Sequence, residues 1–97
     1  MGMQNLSYAF YDSPKMIHDM VSHWAEMCAR QIEQLPPDIP IHQIGWWEDM
    51  AYKNGPLVSP RHFREFMLPF YNEMTSFLRA RGVPSIWMDS DGDISEL

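Results

Sequence analysis

The sequence predicts an α/β fold, a slice of repeating βα units with parallel strands. Three observations carry that expectation. Helix-patterned and strand-patterned stretches alternate along the chain in the order helix, strand, helix, strand, start of helix. The two strand-like runs are short and rich in branched and aromatic side chains, the composition of buried strands. Each is followed at once by an acidic cluster, Glu48-Asp49 after the first and Asp89-Ser90-Asp91-Gly92-Asp93 after the second. Parallel neighbours would place both clusters at one end of the sheet, where ligands bind in open α/β sheets and in barrels.

The first helix is expected to open at Asp12-Ser13-Pro14, an Asp or Ser cap followed by a proline whose missing N–H costs nothing there. Met16, Ile17, Met20, Val21, Trp24, Met27, Cys28 and Ile32 then recur at helical spacing, and Pro36-Pro37 ends the run near Gln34. Ile41 to Trp47 is the first strand, with His42 inside it and with Trp46 and Trp47 pointing to opposite faces, so that at most one lines a pocket. Lys53-Asn54-Gly55-Pro56 forms a turn. Ser59-Pro60 repeats the capping device and opens the second helix, which carries Phe63, Phe66, Phe70, Met74, Phe77 and Leu78. Pro69 lies inside that pattern and predicts a kink, and Gly82 suits the left-handed position past the C-terminus. Pro84 to Met88 is the second strand, and Asp93 to Leu97 looks like a third helix beginning.

A parallel pair of strands with helices on one side leaves edges unpaired and apolar stripes uncovered. The expectation is therefore that residues 1–97 are one partial domain, an internal piece of a larger barrel or doubly wound domain, incomplete at both ends. The composition narrows the class further. With 45% hydrophobic and 13% aromatic residues in a chain of 97, the sequence is too apolar for a disordered tail. No stretch approaches the roughly 20 apolar residues of a membrane span. A formal net charge of −6 argues against a nucleic-acid surface. No basic region precedes an apolar core at the N-terminus, so no secretory signal is expected, and a lone cysteine, Cys28, fits a reducing cytoplasm.

Adjacent strands lie about 4.8 Å apart, so carboxylates just past their ends can share a proton or a divalent cation. The candidate acid/base residues are Glu48, Asp49, Asp89 and Asp91, with Asp89 and Asp91 also able to hold a metal. Tyr52 could donate to a developing oxyanion, Lys53 could pair with a substrate carboxylate, and Trp47 could form a wall of the substrate site. The plainer alternatives are that Asp49 and Asp93 cap turns and that Lys53 pairs with Glu48 or Asp49 at the surface. Asp89 to Asp93 also imitates the opening of a calcium loop, but the sixth position holds Ile94 instead of Gly and no helix enters it. The histidines at 18, 23 and 62 fall on helices as structural residues.

The run from Glu48 to Pro60, followed by Phe63-Arg64-Glu65-Phe66 and Leu68-Pro69-Phe70-Tyr71, resembles the uroporphyrinogen decarboxylase superfamily, most of all its decarboxylase-like branch that also holds corrinoid-dependent methyltransferases. Asp12-Ser13-Pro14 and Asp89 to Asp93 share in the resemblance, which spans essentially the whole chain and would cover about the central third of a member. It implies a (β/α)8 TIM barrel, a cytoplasmic lyase of porphyrin biosynthesis or a methyltransferase, a tetrapyrrole or other small-molecule substrate, a corrinoid protein as partner, and a homodimer. Decarboxylating members need no cofactor. Asp89-Ser90-Asp91 stands where zinc methyltransferases of the family carry a His-x-Cys pair. The alternative from another class is a truncated, non-catalytic fragment that associates through exposed apolar helix faces.

Overall fold

A computed structural model describes residues 1–97. Helix α1 (Met3–Asp12) and helix α2 (Pro14–Glu33) are joined through Ser13, and strand β1 (Gln43–Glu48) follows. A hairpin of β2 (Ala51–Tyr52) and β3 (Gly55–Pro56) precedes a helical stretch made of α3 (Pro60–His62), a π segment (Phe63–Met67) and α4 (Leu68–Ala80). Strand β4 (Ser85–Ser90) comes last. The fold is mixed helix and strand with a parallel two-stranded sheet, as the alternation of patterns predicts.

Strands β1 and β4 pair in parallel from Gln43↔Ser85 through Ile44↔Ile86, Gly45↔Trp87, Trp46↔Met88 and Trp47↔Asp89 to Glu48↔Ser90. Side chains alternate across the sheet, so Ile44, Trp46 and Glu48 face the helices, where they are half-buried, while Gln43, Gly45 and Trp47 lie on the other face in the open. Trp46 packs edge-on against Phe70, ring centroids 5.6 Å apart, and belongs with Val21 and Cys28 to the layer around a core of Ala25, Met50, Phe63, Phe70, Tyr71 and Met74. Helices α2 and α4 thus cover one face of the sheet. The other face is bare: Trp47 is 82% exposed and Trp87 41%. Only 13 of 97 residues are buried, and the radius of gyration is 15.0 Å, against about 13 Å for a compact chain of this size.

Local chemistry accounts for most of the boundaries. Ser59 caps α3 by accepting the His62 N–H at 3.1 Å, whereas Ser13 occupies the cap position of α2 without a side-chain bond. The kink expected at Pro69 takes the form of the π segment. Pro69 brings no N–H and its ring would press on the carbonyl of Glu65, and the widened turn, in which the Leu68 N–H reaches back to the Phe63 carbonyl, makes room for it. Gly82, at φ 85°, and the bond from the Val83 N–H to the Leu78 carbonyl at 3.0 Å close the end of α4. Arg79 donates to the carbonyls of Val83 and Pro84, tying the helix to the strand that follows.

Three expectations are corrected. Met3–Asp12, given no element by the sequence reading, is a helix: Leu6, Ala9 and Phe10 form a one-sided apolar stripe that packs with Ile17 and Phe66. Asp93 to Leu97 is not a helix. The Asp93 carboxylate accepts the Ser95 N–H at 3.0 Å, which holds it below the usual carboxylate range, and a single bond from the Leu97 N–H to the Ile94 carbonyl closes one turn. One such bond does not repay helix nucleation. His42 lies just before β1 and is exposed. No helix is long and apolar enough to cross a membrane.

Candidate functional site

The C-terminal ends of β1 and β4 lie side by side, and the residues marked out by the sequence gather around them on two sides. On the bare side Trp47 pairs with Asp89 in register, and one step back Trp87 lies over Gly45. A methyl group on Gly45 would overlap the Trp87 indole. That is the close approach a glycine inside a strand signals, and Gly45 and Trp87 are site-forming residues the sequence reading passed over. Gly45→Ala is expected to swing the Trp87 ring outward while changing stability by less than about 1 kcal/mol, because the ring has open space to move into. With 5-fluorotryptophan at all four tryptophan positions, the Trp87 fluorine resonance should move and the Trp24 resonance should stay.

On the helix side Glu48 pairs with Ser90, whose Oγ accepts the Met50 N–H at 3.2 Å. Glu48 and Asp49 line a cavity of about 530 Å³ between α1, α2 and the segment from Met50 to Met67. Asp89 and Asp91 do not line it. Parallel strands bring the two acidic clusters to the same end of the sheet, as expected, but the register sets Glu48 opposite Ser90 on the helix side and Asp89 opposite Trp47 on the bare face, so the carboxylates of the two clusters do not share one cavity.

The hairpin and the second acidic loop meet at the same end. Gly92, at φ 80°, places its Cα so close to the chain that an added Cβ would sit 2.7 Å from the backbone of Ala51 and Tyr52, and the Asp93 N–H donates to the Tyr52 carbonyl at 3.4 Å. These contacts tie the second acidic loop to the hairpin through Gly92 and Asp93. Tyr52 is 60% exposed, and the Lys53 ammonium lies 5.8 Å from its ring instead of pairing with Glu48 or Asp49. No three His, Cys, Asp or Glu side chains come together as a metal-ligand set. Cys28 is half-buried and free, and burial pushes its thiol up.

Behind Glu48, the Tyr71 hydroxyl points toward Met50 Sδ at 4.0 Å. Burial first, and then the nearby Glu48 carboxylate, raise Tyr71 well above the ordinary phenol range. The fold therefore favours the neutral phenol. Its contribution to stability is whole below the unfolded-state value near about 10 and declines as pH rises above it. Urea midpoints at about pH 8 and pH 11 should fall apart further for the native chain than for Tyr71→Phe.

A scan against protein-family models and searches of curated proteins and of solved structures found no match to this chain. The functional reading consequently rests on the residues and their arrangement.

Proposed function

We propose that residues 1–97 are a section of a uroporphyrinogen-decarboxylase-like (β/α)8 barrel and that the intact barrel is a cytoplasmic enzyme acting on a tetrapyrrole or as a corrinoid-linked methyltransferase. One observation supports this most: two in-register parallel strands carry helices on one face only, and their bare face bears Trp47 beside Asp89 at the C-terminal ends. In a (β/α)8 barrel the face without helices is the interior, and the C-terminal strand ends hold the active site. Parallel sheets are otherwise covered on both sides.

In this reading Trp47 forms a wall for the substrate and Asp89 and Asp91 act as acid and base. A decarboxylation would leave a carbanion at the carbon that loses CO2, and a protonated Asp89 or Asp91 would supply the proton there. Tyr52 would orient the substrate through its hydroxyl, Lys53 would meet a substrate carboxylate, and Glu48 with Asp49, which line the cavity on the helix side, would position or protonate a part of the substrate that reaches past the strand ends. In the methyl-transfer version a corrinoid protein is the partner and accepts the methyl group. Asp89 and Asp91 offer oxygen donors alone, and no further ligand side chain joins them. They do not make the nitrogen and sulfur site that activates a thiol on zinc. The test is the parent barrel carrying Asp89→Asn and Asp91→Asn together: turnover should drop by roughly 100-fold or more, and unchanged turnover removes both residues from the site.

A second reading, a non-catalytic fragment that associates with itself, has its own supporting observation. The large apolar side chains left in the open include Trp47 and Trp87 on the sheet and Met20 and Trp24 on α2. Under that reading size-exclusion chromatography of the 97-residue chain gives oligomers, and the chain itself shows no turnover.

A further inference from the structure

The cavity beside Glu48 and Asp49 has a chemistry of its own. Its volume, about 530 Å³, falls within the range of small-molecule pockets. Its walls are mostly apolar, with Phe10 from α1, Met20 from α2 and Met67 from the π segment among them. No lysine or arginine lines it, and neither Glu48 nor Asp49 enters an ion pair anywhere in the chain. Two carboxylates without a cation therefore stand at the edge of an apolar space.

His62 provides a second, independent observation. The residue is 8% exposed and lines the same cavity, with its ring stacked on Phe10 at 4.9 Å and edge-on to Tyr11 at 4.8 Å. Its backbone N–H goes to the Ser59 hydroxyl, but the imidazole nitrogens make no hydrogen bond within the chain. Every fully enclosed side-chain nitrogen or oxygen has a partner, so the unbonded imidazole nitrogens keep some open surface, on a residue that lines the cavity. A buried polar group that finds no protein partner and faces a cavity is placed to meet a ligand or its water.

We propose that this cavity binds an organic cation, an amine or ammonium group carried on an apolar body. The body fills the space between α1, α2 and the π segment, the cationic group sits at Glu48 and Asp49, and the His62 ring offers a hydrogen bond deeper in. An anionic ligand would meet uncompensated carboxylates, and a neutral one would leave them without a counter-charge. The proposal deepens the functional reading by naming the charge of the group that Glu48 and Asp49 hold, and it rests on that reading only in placing them beside a substrate. Binding to the chain itself is separable from turnover by the parent barrel.

The test uses three probes with one indole body and different charge: tryptamine, 3-methylindole and indole-3-propionate. They are titrated into the 97-residue chain labelled at its methionine methyl carbons. Tryptamine should shift the methyl resonances of Met20 and Met67, 3-methylindole should bind at least fivefold more weakly, and indole-3-propionate more weakly still. Glu48→Gln with Asp49→Asn should lower tryptamine affinity by roughly fivefold to tenfold and leave 3-methylindole unchanged, the size of effect that partly exposed charge pairs give. Met20→Trp, which puts a larger side chain on the α2 wall of the cavity and keeps both carboxylates, should abolish the shifts for both probes. Equal binding of the anion, tryptamine affinity untouched by the double substitution, or shifts that persist in Met20→Trp would each overturn the proposal, as would the absence of binding by all three probes.

Discussion

Leu78→Ala is expected to lower the free energy of unfolding by about 2–5 kcal/mol and to leave the chain without a cooperative thermal transition. Leu78 has no exposed surface, and with Met74 and Val83 it is among the largest fully enclosed side chains of a chain that buries only 13 residues. Truncation removes the transfer free energy of its methyl groups and opens a cavity that α4 cannot collapse, because the Val83 N–H is bonded to the Leu78 carbonyl and pins the next turn in place. Small domains hold only a few kcal/mol in reserve. The loss therefore falls on the whole fold and not on one helix. Circular dichroism at 222 nm during heating reads the result, and Leu57→Ala, at a side chain 63% exposed, serves as the comparison and should stay within about 0.5 kcal/mol.

Gly92→Ala should act more locally and almost as strongly, costing roughly 2–4 kcal/mol of the local structure that holds the second acidic loop. Two effects add. The φ of 80° strains any side-chain-bearing residue, and the new Cβ would press at 2.7 Å on the backbone of Ala51 and Tyr52, which cannot rotate away as a side chain would. Gly55 separates the two effects, since its φ of 114° carries the strain but nothing lies within 4 Å of its absent Cβ. Gly55→Ala should therefore cost about 1–2 kcal/mol, from the backbone strain alone. Hydrogen exchange reports the difference: in Gly92→Ala the Asp93 amide loses its protection from the Tyr52 carbonyl, while the amides of α4 keep theirs.

How far these features were legible in the sequence follows from how locally each is determined. The stripes of α2 and α4, the Ser59 cap, the Gly82 stop and the two strands obey short-range rules and could be placed to within two residues. The opposite orientations of Trp46 and Trp47 follow from the pleat alone. Helix α1 carried the same kind of signal in Leu6, Ala9 and Phe10, and the cap at Ser13 drew the boundary too late. Asp93 to Leu97 had the residues of a helix start and none of the propagation. The site was harder to see. Its acidic residues were found, and the parallel direction of their strands held, but which face each carboxylate serves depends on the register, which sets Asp89 opposite Trp47 and Glu48 opposite Ser90. Gly45, Gly92 and His62 matter through what stands opposite them in space, Trp87, the Ala51–Tyr52 backbone and the cavity, and spacing along one chain does not encode those partners.

The pairing of β1 with β4 is the claim on which the site and the barrel reading both depend, because it alone puts Trp47 next to Asp89 on the bare face. Interstrand proton NOEs measure it directly. The account predicts backbone contacts linking Gln43 to Ser85 and Trp47 to Asp89. Contacts linking Gln43 to Ser90 and Glu48 to Ser85 would mean antiparallel strands with the acidic clusters at opposite ends, and would contradict it.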